Sequence, residues 1–171
     1  MIKTKGFSLL ELVIYTGILA GLLVVVSGVF ISLSRGNGQV QAKAEVNNAI
    51  RFATEMIRQD LKNVDGGGVS LPSPGSPGAV LTLSRNSTNI TYDVSGGALR
   101  RKEGTAAPEN VTNSNIIVSS PVFTYINNYN SVLDVSNISI KIEMTFTYNS
   151  NSPDWTYSAP LQTTVDLYRS Y

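Results

Sequence analysis

Between Phe7 and Leu33 a single residue carries a charge, Glu11. The 22 residues from Leu12 to Leu33 are uncharged and mostly apolar. As an α-helix they would span about 33 Å, enough to cross the hydrocarbon core of a bilayer. In such a medium every backbone amide must be paired within its own segment, so a helix is the expected form. A lone carboxylate there costs roughly 2.5–3.5 kcal/mol on insertion scales and usually has a partner. Within helical reach of Glu11 stand Phe7, Ser8, Ile14 and Tyr15, none of them a cation. The counter-charge is therefore expected from another molecule or from a newly made amino terminus. The alternative is that Glu11 lies at the interface and reaches headgroup water.

Elsewhere the residue types argue against reaction chemistry. The chain has no histidine and no cysteine, which removes the commonest general base, the commonest zinc ligand and the thiol nucleophile. Lys62 and Asp65 read as a helix end, and Asp93 as a strand residue beside a turn. Asp134, Asp154 and Asp166 are too dispersed to resemble a calcium loop. No catalytic residue, metal site or cofactor is expected, and the chain does not read as an enzyme. Arg100-Arg101-Lys102 is the one basic cluster. Strand alternation turns Arg101 away from Arg100, and a solvated hairpin edge is the expected setting. With 13 basic and 12 acidic residues, the charge balance does not suit a nucleic-acid binder.

The run Gly6-Phe7-Ser8-Leu9-Leu10-Glu11-Leu12-Val13-Ile14 follows a short leader with Lys3 and Lys5. It resembles the processing signal of type IV prepilins and type II secretion pseudopilins. Their pattern is a short basic leader ending in Gly, then Phe, Ser or Thr, two apolar residues, Glu and a long apolar helix. The resemblance implies cleavage by prepilin peptidase between Gly6 and Phe7, with N-methylation of Phe7 by the same enzyme. It also implies that Glu11 meets the new terminal amine of a neighbouring subunit. Opposite charges attract strongly in a low dielectric, and each relieves the other's unpaired burial. Loss of residues 1–6 would remove Lys3 and Lys5, leaving eleven basic residues against twelve acidic.

Gly17, Gly21 and Gly28 fall four and seven apart, on one helical face. Such a stripe lets helices approach closely, or it reflects the ordinary tolerance of membrane helices for glycine. A secretory signal peptide cut after Ser34 is a rival reading, with Ser32 and Ser34 as the small-x-small site. The length of the apolar run and its carboxylate argue against it.

Arg35-Gly36-Asn37-Gly38 is a weak spot, after which helical periodicity resumes. Val46, Ile50, Ala53, Ile57, Leu61 and Val64 recur at steps of three and four, opposite Glu45, Asn48, Arg51, Glu55, Arg58 and Lys62. Gly66-Gly67-Gly68 is expected to end this helix. Leu71 to Gly78, with three prolines, reads as a loop. Strands are expected at Val80–Leu83, Ile90–Val94, Ala98–Arg101, Ile116–Tyr125, Ile138–Tyr148 and Leu161–Tyr168, with a hairpin at Ser95-Gly96-Gly97. Ile138, Ile140, Ile142, Met144, Phe146 and Tyr148 share one face, as a half-solvated antiparallel strand requires.

The expected fold is α+β and pilin-like: a long N-terminal helix, half transmembrane and half amphipathic, packed on one C-terminal antiparallel sheet. Its parts would be a leader at 1–6, a membrane or filament-core helix at 7–34, an amphipathic helix at 35–65 and a β domain at 66–171. The strand run and the Tyr92–Arg100 hairpin resemble the J-type minor pseudopilins and related minor pilins. The resemblance implies a structural filament subunit, by that subtype a minor one, with prepilin peptidase, other pilins, an inner-membrane assembly platform and the bilayer as partners. It would start as a single-pass inner-membrane protein, N-terminus cytoplasmic and C-terminal domain outside, and pass into a pilus or pseudopilus. The alternative is a membrane-tethered adhesin or DNA-capture module.

Overall fold

The computed structural model describes residues 8–64, 68–132 and 135–167, with backbone only at 130, 135 and 136. Among the described residues one α-helix, α1 (Leu9–Lys62), is followed by nine strands, with a short 3-10 turn at Pro153–Trp155 before the last of them. By its contacts the chain divides into two units, with the seam between Gly38 and Gln39, inside α1.

Helix α1 runs without interruption through the weak spot at Arg35-Gly36-Asn37-Gly38, as one long helix with an apolar and an amphipathic half. Gly and Asn cost at most about 1 kcal/mol each relative to Ala in a helix interior. Propagation of a helix already formed on both sides outweighs that, because only nucleation is expensive. The helix ends at Lys62, with the Asn63 amide donating to the Asp60 carbonyl at 3.1 Å. Asp65, Gly66 and Gly67 lie outside the described residues.

In the second unit, β1 (Val69–Leu71), β3 (Leu81–Arg85), β4 (Thr88–Ser95), β5 (Ala98–Glu103) and β6 (Glu109–Asn110) form one sheet in the order β1-β3-β4-β5-β6. A second sheet has β2 (Pro77–Gly78), β7 (Ile116–Asn130), β8 (Val135–Tyr148) and β9 (Ser158–Asp166) in the order β2-β7-β8-β9. All pairings are antiparallel. The single sheet expected from sequence is therefore two. Alternation reports which face of a strand is buried but not which neighbour it pairs with, so two sheets with inward apolar faces look like one.

Turn chemistry sets the register of the first sheet. Gly96 and Gly97 have φ of 59° and 78° between the partners Ser95 and Ala98, the two-residue turn that matches strand twist. A Cβ on Gly97 would also come within 3.3 Å of the Ile117 side chain, so the backbone favours glycine there and a larger residue would have to press Ile117 aside. The Val118 amide donates to the Gly97 carbonyl at 2.7 Å, tying β7 to this turn.

The core lies where the second unit's part of α1 meets both sheets. Val46, Ala53, Ile57 and Leu61 from the helix pack with Leu83, Ile90 and Leu99 of the first sheet and with Phe123, Ile140 and Phe146 of the second. The inward face expected of β8 is observed at Ile138, Ile140, Ile142, Met144 and Phe146. The segment expected to be loop contains the two-residue strand β2, paired to Phe123 and Thr124.

Candidate functional site

Two features stand apart from an ordinary core. The first is the N-terminal half of α1. Every large apolar side chain from Leu9 to Leu33 is more than half exposed, and its most apolar 18-residue window has a mean hydropathy of 2.5 with none of it buried. The helix is long and apolar enough to cross a membrane. So large an exposed apolar surface marks a site of contact with lipid or protein.

Glu11 sits in the first turn of this helix, exposed, with no hydrogen bond or ion pair to the other described residues. A carboxylate there complements the positive end of the helix dipole. Beside Gly17, Gly21 and Gly28 an added Cβ would meet nothing within 4 Å, so no packing among the described residues calls for glycine at these positions. Gly6 and Phe7, the expected cleavage site, lie outside the described residues.

The second feature is a charge cluster under α1 that periodicity did not reveal. Asp60 lies in the polar register next to the apolar stripe, yet its side chain is only 8% exposed. It accepts hydrogen bonds from the Tyr92 hydroxyl at 2.5 Å, from Arg101 Nε at 2.7 Å and from Arg85 Nη1 at 3.4 Å. Glu103 pairs with Arg85 and Arg101, each at 2.8 Å. Two guanidiniums thus face two carboxylates, and Asp60 joins the helix to strands β3, β4 and β5. Burial, then the bond to Asp60, holds the Tyr92 phenol well above its ordinary range. The bond from Arg101 holds Glu103 below the usual carboxylate range, and the bond to Asp60 raises Arg101.

This corrects the expected solvated edge at Arg100-Arg101-Lys102. Strand β5 is flanked by β4 and β6, with Arg100 opposite Asn110 and Arg101 opposite Glu109. Arg100 turns outward to Asp93, bonded at 3.0 Å through Nε; Arg101 turns inward to Asp60. Alternation separated the two arginines correctly. The signal missed was Asp60, one residue before the stripe residue Leu61 and therefore at the edge of the apolar arc.

Beside the cluster a cleft of about 490 Å³ opens between α1 and the stretch from β6 to Val111, with Phe52, Met56 and Gln59 on the helix side. A second cleft of about 410 Å³ continues it through Phe52 and Val111 toward Glu45 and Asn113. Phe52 is 56% exposed. Glu45 accepts from Asn115 Nδ2 at 3.2 Å, whereas Glu109 has no ion pair or hydrogen-bonding side-chain partner among the described residues. The cleft is open, and its lining sets the exposed Phe52 ring between the Glu45 and Glu109 carboxylates.

The chain is α+β, with one apolar helix near its N-terminus. Comparison with protein-family models, with curated proteins and with solved structures finds no match.

Proposed function

We propose that this chain is a structural subunit, of the minor kind, of a type IV pilus or type II secretion pseudopilus. On this reading prepilin peptidase cuts between Gly6 and Phe7, and the helix then passes from the inner membrane into a helical filament. The observation that carries the reading is the pairing of the Gly6-Phe7-Ser8-Leu9-Leu10-Glu11 signal with an apolar helical half that has no cover of its own. In the membrane, lipid covers this surface; in the filament, the same surface of neighbouring subunits covers it. Glu11 lacks a cation among the described residues, and cleavage creates one at Phe7. Burial of the pair then favours assembly, since each charge relieves the other.

The test is the intact mass of the protein co-expressed with a prepilin peptidase. Loss of residues 1–6, with or without a methyl group on Phe7, is the expected result. An uncut chain would favour a membrane-tethered binding module, and a cut after Ser34 would favour a secreted domain.

A further inference from the structure

On the second unit's part of α1, two surface rows differ in character. Glu45, Phe52, Met56 and Gln59 line the cleft described above, which extends about 22 Å along the helix. About 100° around the helix from them, Arg51, Arg58 and Lys62 form a basic row about 17 Å long. Arg51 and Lys62 have no side-chain partner among the described residues, and Arg58 is held only by an exposed pair to Glu55 at 3.5 Å. The cleft side carries acids. Glu109 on its far wall has no side-chain partner among the described residues, and Glu45 stands at its other end. The arginines within the cleft are already neutralised by Asp60 and Glu103.

We infer that this cleft is the docking surface for the basic row of a second copy of the chain, with Phe52 at the centre of the contact. The occupant follows from charge and shape. A helix edge about 17 Å long fits a cleft about 22 Å long, cations meet the carboxylates of Glu109 and Glu45, neither of them paired to a cation among the described residues, and the exposed aromatic loses water to the stems of Arg51 and Arg58. Cleft and row lie on different sides of one helix, so the contact is heterologous. Such a contact repeats from copy to copy and builds either a ring or an open helix. The inference rests on the filament reading and names the surface through which neighbouring second units meet.

The test uses full-length protein in cells carrying a prepilin peptidase and a pilus assembly system. The chain has no cysteine of its own, so a variant with Asn110→Cys and Arg58→Cys reports the contact alone. Oxidised filaments of the double variant should give a ladder of dimers, trimers and longer species, and neither single variant should cross-link. Glu109→Lys should lower filament yield about five-fold or more through like-charge juxtaposition. Filaments that form without cross-links, dimers from one cysteine alone, or undiminished yield with Glu109→Lys would each overturn the contact. An intact mass showing the uncut chain, with no filament formed, overturns the filament reading and the contact with it; a processed chain with the wrong cross-links overturns the contact alone.

Discussion

Asp60 shows how a single buried carboxylate can decide the docking of a helix. Its side chain takes donors from three strands, so its removal leaves Arg85 and Arg101 facing only Glu103. Breaking a buried ion pair on one side costs about 3–5 kcal/mol, and Asp60→Asn should lower stability by that order. Denaturant unfolding of the detergent-solubilised chain, followed by the fluorescence of its only tryptophan, Trp155, would measure it. The cluster also sets a pH response. Glu103 is held below its ordinary range, so its contribution is present above about pH 4.3 and is lost as pH falls through the lower folded value. Glu103→Gln should therefore flatten the acid side of the stability–pH curve. Tyr92 is held above its ordinary range, so the sign reverses. Its contribution holds up to about pH 10 and is lost above that, as the unfolded phenol ionises first. Tyr92→Phe should remove this alkaline loss, read by the same unfolding curves.

At the scale of elements, the helix does two jobs on two stretches. From Val46 to Leu61 one stripe enters the core, and Ile57 is fully buried there; Ile57→Ala should cost about 2–5 kcal/mol through lost burial and the cavity left. Phe52 lies on the same helix but is exposed, so Phe52→Ala should stay within about 0.5 kcal/mol in the same assay. Gly36 sits inside the unbroken helix with nothing within 4 Å of an added Cβ. Gly36→Ala should raise helix stability by about 1 kcal/mol, seen as slower amide exchange across the seam.

For the whole molecule, the apolar half and the β-rich unit have opposite solvent requirements. The first unit buries almost nothing of its own, while the second has a core shared by one helix and two sheets. Residues 39–171 alone should therefore be water-soluble and unfold cooperatively, whereas the full chain should partition into detergent or lipid. A truncated chain that aggregates or unfolds without a cooperative transition would show that the first unit is needed for the second to fold. Glu11→Ala should leave that folding untouched and lower filament assembly, because its partner lies on another molecule in the proposed filament; assembly at the wild-type level would remove the pairing from the account.

Periodicity and composition were enough to place the apolar helix, the Val46–Val64 stripe, the inward face of β8 and the turn at Gly96-Gly97. Each of these is a local property, carried by residues one to four positions apart. The Gly6–Glu11 run on which the proposed processing rests is likewise a linear pattern. What the linear pattern left open was pairing at long range. Residues 60, 85, 92, 101 and 103 meet only because β3, β4 and β5 are neighbours under α1. The division of nine strands into two sheets has the same origin, since alternation sets a strand's face but not its neighbour. Arg100 and Arg101 differ for that reason: sequence placed them on opposite faces, and only the tertiary structure supplied the buried carboxylate that ties one of them to the helix.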